Sequence, residues 1–175
     1  MIRALIFLGT ILVTACSSNA TVNVDGPAVT GTGMKAPAFT VEQLNGNRFT
    51  LDDRPTIIWF FAPWCSYIGK AYPDMGRDCD NAATQLRRGY QTYGDQFRWI
   101  GLSVVFAVTT RDVDSYRIKH EIPFAFAIDR GGDIYADYGV RYSPTVIIVD
   151  NGIIVFRAKA NLERLDEKIR ELATN

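Results

Sequence analysis

Histidine and cysteine are scarce in this chain: one histidine and three cysteines in 175 residues. The lone histidine, His120, excludes a multi-histidine metal centre, and no metal or other cofactor is expected. Lys and Arg equal Asp and Glu at 19 each, so the chain lacks the basic surplus on which nucleic-acid binding draws, and no nucleic-acid partner is expected. Beyond residue 15 no run approaches the roughly 18–20 apolar residues that span a bilayer. What is present suits a folded domain with appendages, at 47% hydrophobic and 22% charged residues.

Residues 1–15 read as a targeting segment. Met1-Ile2-Arg3 supplies a positive start, Ala4 to Val13 a largely apolar core, and Leu12-Val13-Thr14-Ala15-Cys16 resembles a bacterial lipobox. A plain secretory signal that happens to contain a cysteine fits less well. Cys16 follows the small residues directly, and polar sequence begins at Ser17. Cys16 is therefore expected to be the lipidated mature N-terminus, anchoring the protein to a membrane of the bacterial cell envelope and facing the periplasm. Ser17 leans towards the outer membrane. Residues 16–34, without periodicity, read as a flexible tether reaching roughly 20–25 Å, and residues 35–175 as the domain. Cys65 and Cys79 are then left as thiols in a compartment where disulfides persist.

Within the domain, residues 35–41 and 48–51 read as short strands joined at Asn45-Gly46, a strong hairpin signal. Residues 56–61, unbroken in apolar character, read as a strand covered on both faces. Helical sequence starts at Cys65, is interrupted at Pro73 and Gly76, and resumes from Asp80 to about Tyr93. Further strands are expected at 97–105, 124–128, 144–149 and 153–158, the last two joined by Asp150-Asn151-Gly152. Helices are expected at 111–120 and 162–173. Strands alternating with helices and ending in a hairpin imply an α/β fold with a mixed sheet flanked by helices.

This order, with Phe61-Ala62-Pro63-Trp64-Cys65 after the central strand and Tyr138-Gly139-Val140-Arg141-Tyr142-Ser143-Pro144-Thr145 before a late one, resembles the thioredoxin superfamily. Within it, the chain is most similar to the TlpA-like, membrane-anchored thiol–disulfide oxidoreductases. Ala36-Pro37-Ala38-Phe39 and the Asn45-Gly46 hairpin look like their N-terminal extension. Pro73 falls where their first helix carries a kinking proline. The resemblance implies a reactive Cys65 at a helix N-terminus, a cis Ser143–Pro144 bond, and substrate docking by Trp64, Ser143 and Pro144. Protein thiols or disulfides of the envelope are the implied partners.

The chain departs from that family at two coupled positions. Ile68 stands in place of the resolving cysteine of the CxxC motif, and Ala71 where a buried glutamate handles protons. Exchange needs a second thiolate and a base to form it, so a cycle between Cys65 and position 68 is excluded. Cys79 is the remaining candidate. On a straight helix it would lie about 21 Å from Cys65, beyond the roughly 4.4–6.8 Å between Cα atoms that a disulfide tolerates. Pro73, Gly76 and an apparent insertion before Trp99 could fold it back. Pairing with Cys65 and a buried or surface free thiol both stay open, as do an accessible reactive Cys65 and an inert buried one. His120, in Lys119-His120-Glu121-Ile122-Pro123, reads as a solvated helix end rather than a ligand. Two functions follow. In one, atypical thiol–disulfide exchange centres on Cys65, with Cys79 as candidate resolving thiol. In the other, a non-catalytic binding module holds an envelope protein or peptide in the same groove.

Overall fold

The structure, a computed structural model, describes residues 31–104, 106, 108–160 and 162–174. The expected signal peptide, Cys16, Ser17 and the tether through residue 30 lie outside the described residues. From Gly33 onward the chain is held to the domain, with Gly33 N–H donating to Ile154 O at 2.8 Å and Ile154 N–H to Met34 O at 2.9 Å.

The central strand, β3 (Thr56–Phe61), is buried at every position. Its β-branched and aromatic residues suit a pleated surface packed on both sides. Alternation sends Ile57, Trp59 and Phe61 into one core cluster and Ile58 and Phe60 into another. Around it the strands run β5 (Ala125–Asp129), β4 (Arg98–Val104), β3, β6 (Thr145–Asp150), β7 (Ile153–Lys159). β3, β4 and β5 are parallel; β6 and β7 are antiparallel to their neighbours. The N-terminal hairpin, β1 (Thr40–Glu42) with β2 (Arg48–Thr50), forms a separate two-stranded sheet. Fewer of its residues pair than expected.

Three helices cover the Trp59 face: α1 (Pro73–Tyr93), α2 (Thr110–Lys119) and α4 (Leu165–Ala173). Thr109 and Asp112 begin α2 with reciprocal capping bonds. A short helix, α3 (Asp133–Asp137), was not expected from the sequence. It forms on the Phe60 face because buried Asp129 accepts hydrogen bonds from Gly132 N–H at 3.1 Å and Tyr135 N–H at 2.9 Å, serving as a cap from outside the helix.

The expected break in the first helix is corrected. α1 runs 21 residues without interruption. Pro73 sits in its first turn, where a missing N–H costs nothing. Gly76 lies inside the helix because its Cα faces Gly69: a Cβ built on Gly76 would stand 2.7 Å from the Gly69 Cα. The segment before α1 therefore crosses over α1 at a glycine–glycine contact. Buried positions Gly76, Cys79, Ala83 and Leu86 recur at helical spacing, which turns Cys79 inward.

Candidate functional site

Register places the site at one end of the sheet. Phe61 ends β3, Val104 ends β4, Thr145 begins β6 opposite Phe60, and Lys159 ends β7 opposite Thr145. The loop carrying Ser143 and Pro144 must therefore arrive beside the residues that follow Phe61. The Ser143–Pro144 bond is cis.

After Phe61 the chain forms two 3-10 turns, Pro63–Ser66 and Ile68–Lys70, before α1 begins. The expectation of Cys65 at the N-terminus of the first helix is thus corrected: Cys65 lies within a 3-10 turn, and α1 starts eight positions later at Pro73. Cys65 is held instead by its N–H donating to Ala62 O at 3.0 Å. This detour, with the Gly69–Gly76 crossing, returns the chain so that Cys65 and Cys79 are joined in a disulfide with Cα atoms 6.1 Å apart. That separation lies within the range such bonds tolerate. Of the two alternatives left open for Cys79, the structure shows the pair.

The sulfurs are covered. Cys65 is 1% exposed and Cys79 3%, so Cys65 is not an accessible thiol in this state. Ala62 shares their cluster, with half-buried Trp64 and Val104 packed against it. Cys65 Sγ lies 3.8 Å from the carbonyl oxygens of Ser143 and of Met75. The structure thus brings Trp64, Cys65, Cys79 and Ser143 together, with Pro144 next in the chain. Among the described residues, Tyr67, Tyr72, Met75, Phe106 and Tyr142, on the segments that carry or adjoin these residues, are exposed large hydrophobics.

The Redoxin family model matches residues 31–172. The chain belongs to the Redoxin family. Among its relatives, the thiol-disulfide oxidoreductase ResA of Bacillus thuringiensis is 25% identical over 146 residues, covering 80% of this chain and 78% of its own. The thioredoxin-like protein YneN of Bacillus subtilis is 25% identical over 127 residues, covering 70% and 68%. Solved structures agree on a thioredoxin-like fold. The thioredoxin domain of a thiol-disulfide oxidoreductase from Bacteroides vulgatus superposes with TM-score 0.67 at 20% identity, over 82% of this chain and 98% of its own. A secreted Mycobacterium tuberculosis disulfide oxidoreductase does so with TM-score 0.61 at 21% identity, over 78% and 96%.

This redoxin carries two further polar residues at the site that the sequence reading missed. The Tyr135 hydroxyl lies 2.9 Å from the carbonyl oxygens of both Phe61 and Leu102, donating to one or the other. Burial pushes this phenol well above its ordinary range, so it stays protonated and acts as a strut between β3 and β4. Asp129 behind it is raised above the usual carboxylate range by burial, partly offset by the N–H groups of Tyr135 and Gly132. The sequence signal for both was slight: a Gly131-Gly132 turn followed by a tyrosine whose partners lie on other strands. Ala71 is exposed and supplies no proton-handling group.

His120 is also corrected. Its side chain is 13% exposed rather than solvated, tilted against the Tyr116 ring at 4.3 Å, with Nε2 3.8 Å from Asp80 Oδ1. The helix end turns inward there because Ile122 and Phe124 are buried immediately after it. No helix among the described residues is long and apolar enough to cross a membrane.

Proposed function

We propose that this redoxin exchanges thiols and disulfides of cell-envelope proteins through Cys65 and Cys79, in place of the missing Cys65–position 68 pair. The observation that carries this reading is the Cys65–Cys79 bond with Cys65 Sγ against the Ser143 carbonyl. A substrate backbone laid on that loop would bring its own sulfur to Cys65.

In the reducing direction, the Cys65 thiolate attacks one sulfur of a substrate disulfide, forming a mixed disulfide and releasing the other substrate sulfur as thiolate. The Cys79 thiolate then attacks the Cys65 sulfur, restoring the Cys65–Cys79 bond and releasing the second substrate thiolate. Two electrons pass from the protein dithiol to the substrate, and two protons follow to the released thiolates. Oxidation of a substrate dithiol is the same sequence reversed. Either direction requires residues 67–75 to move, since both sulfurs are covered.

That burial favours a second reading, a binding module in which the disulfide only pins the groove. Equilibration against dithiol buffers, with alkylation and intact mass, separates the two. A working redox pair titrates as one two-electron couple at about −120 to −270 mV, whereas a staple lies below about −300 mV. Anchoring through lipidated Cys16 to the envelope membrane belongs to the same proposal. It rests on the lipobox-like Val13-Thr14-Ala15-Cys16 followed by polar sequence. Acyl chains contribute about 0.8 kcal/mol per buried CH₂. Cys16→Ala is expected to release the full-length protein from membranes; unchanged fractionation rejects the anchor.

A further inference from the structure

We propose that the cavity beside the Ser143–Pro144 loop is a subsite for a carboxylate, receiving an acidic side chain of the protein whose disulfide docks at Cys65. This rests on the exchange reading above and adds a substrate preference to it.

The cavity, about 350 Å³, is lined by Gly139, Arg141, Tyr142, Thr145, Arg157 and Lys159. Three of these are cationic and none is acidic. That is not a property of the whole surface, because the chain is balanced at 19 basic and 19 acidic residues. Nor is it shared by three larger cavities among the described residues. One mixes Arg111 and Arg117 with Asp114, another mixes Arg164 and Lys168 with Glu163 and Glu167, and the third carries Asp95 and Glu121 with no cation. The positive charge is local to the flank of the site.

Each cation has a distinct place. Arg157 is half-buried and fixed as the floor, its guanidinium donating to Tyr138 O at 2.7 Å and Gly139 O at 3.0 Å. Arg141 and Lys159 are exposed, and among the described residues neither has a carboxylate within ion-pair distance. Lys159 instead stands 4.8 Å over the Tyr142 ring, so its ammonium is held at the rim rather than swung into solvent. The volume sits at the small end of ligand sites, enough for one side chain or a short turn of peptide.

The cavity is also within reach of the reacting sulfur. Thr145, in its wall, is two residues beyond Ser143, a backbone span of at most about 7 Å. The Ser143 carbonyl itself lies 3.8 Å from Cys65 Sγ. A peptide with its cysteine at Cys65 and an extended backbone along the loop presents a residue two or three positions away to Arg141 and Lys159.

The test uses C-terminally amidated peptides, identical except for Glu or Gln at the second position from a central cysteine. Versions with serine in place of that cysteine report docking alone, measured on the oxidised protein. Disulfide-linked versions report exchange with the reduced protein. The Glu peptide is expected to bind about fivefold tighter than the Gln peptide at low salt, because two exposed charge pairs are modest individually. High salt should erase the difference. The double variant Arg141→Glu/Lys159→Glu should reverse the preference, favouring a Lys peptide over the Glu peptide; a reversal cannot arise from misfolding. Equal binding of Glu and Gln peptides at low salt overturns the subsite, as does a double variant that folds and still prefers Glu. If the Glu preference appears but neither peptide exchanges disulfides with the reduced protein, the subsite stands and the exchange reading fails. If both exchange at equal rates, the reverse holds.

Discussion

Every residue of Thr56–Phe61 is buried, whereas in the stretch that follows Cys65 the residues Tyr67, Lys70, Ala71, Tyr72, Pro73, Asp74 and Met75 are exposed. These two regions are adjacent in the chain, yet they are held by different forces. The strand is fixed by apolar area on both faces and by ladders to β4 and β6. The loop is fixed by one covalent bond, one glycine–glycine contact and a few turn hydrogen bonds, such as Tyr72 N–H to Ile68 O at 2.8 Å. A region with few buried contacts opens at lower free energy than the core. The site can thus rearrange around its disulfide while the sheet that positions it stays intact.

The largest expected effect tests the strand. Trp59 is 1% exposed and contacts Phe61, Tyr116, Phe124 and Phe126 at ring separations between 4.8 and 6.4 Å. Trp59→Ala is expected to cost about 3–5 kcal/mol in guanidinium unfolding of the oxidised protein, with little change in the Cys65–Cys79 redox midpoint. A large shift in that midpoint would show that core and loop are one cooperative unit, against the comparison drawn above.

Next in size is the covalent tie itself. Cys79→Ser opens a loop with a sequence separation of 14, worth about 3 kcal/mol in the chain-entropy account. Backbone amide exchange should show the loss unevenly. Residues 66–78 lose protection while β3 and β4 keep theirs. Uniform loss over the whole domain would contradict the division into two regions.

A smaller effect probes the glycine crossing. An alanine methyl at position 76 would meet the Gly69 Cα at 2.7 Å, a backbone atom that cannot rotate away. The loop is free to relax only once the disulfide is reduced, so Gly76→Ala should weigh more on the oxidised state. About 1–2 kcal/mol of differential strain, partly masked by the better helix propensity of alanine, raises the redox midpoint by roughly 20–40 mV. Gly69→Ala, at 3.2 Å from the Gly76 Cα, should do the same more weakly. An unchanged midpoint in Gly76→Ala would mean the crossing does not serve the disulfide.

The same contrast explains what could be read from the sequence. The strands were legible because burial on one or both faces writes itself into the local pattern: continuous apolar character in β3, a turn at Asn45-Gly46, and Asp150-Asn151-Gly152 between β6 and β7. The loop was not. Pro73 and Gly76 carry the local signature of a broken helix, and only the tertiary contact with Gly69 reveals that Gly76 sits in a continuous one. The reach of Cys79 back to Cys65 depended on two 3-10 turns with no strong signal of their own. Asp129 and Tyr135 depended on strand order, which places β4 between β3 and β5. Cys65, Ser143 and Pro144 were singled out by the family resemblance of the segments that carry them, each lying near a strand end.

The smallest expected effect lies at the seam between α1 and α2, and it turns on pH. His120 faces Asp80 and Arg87 from α1, and Lys119, Glu121 and the Tyr116 ring on its own segment; Asp80 follows Cys79 directly. Burial first, then Lys119 and Arg87, lower the imidazole below its ordinary 6.5, with Asp80 opposing them. A folded value below the unfolded one means that the folded state binds fewer protons in that window. The stabilisation from a neutral His120 is therefore complete above about pH 6.5 and is lost as pH falls through the folded value, below which it is flat. Asp129 has the opposite sign, because its raised value favours the folded state on the acid side. Unfolding midpoints at about pH 7.5 and about pH 5.5 should differ in the direction set by His120, and His120→Gln should flatten that slope. An identical slope in His120→Gln would assign the pH dependence elsewhere and leave the α1–α2 seam as insensitive to protons as the sheet.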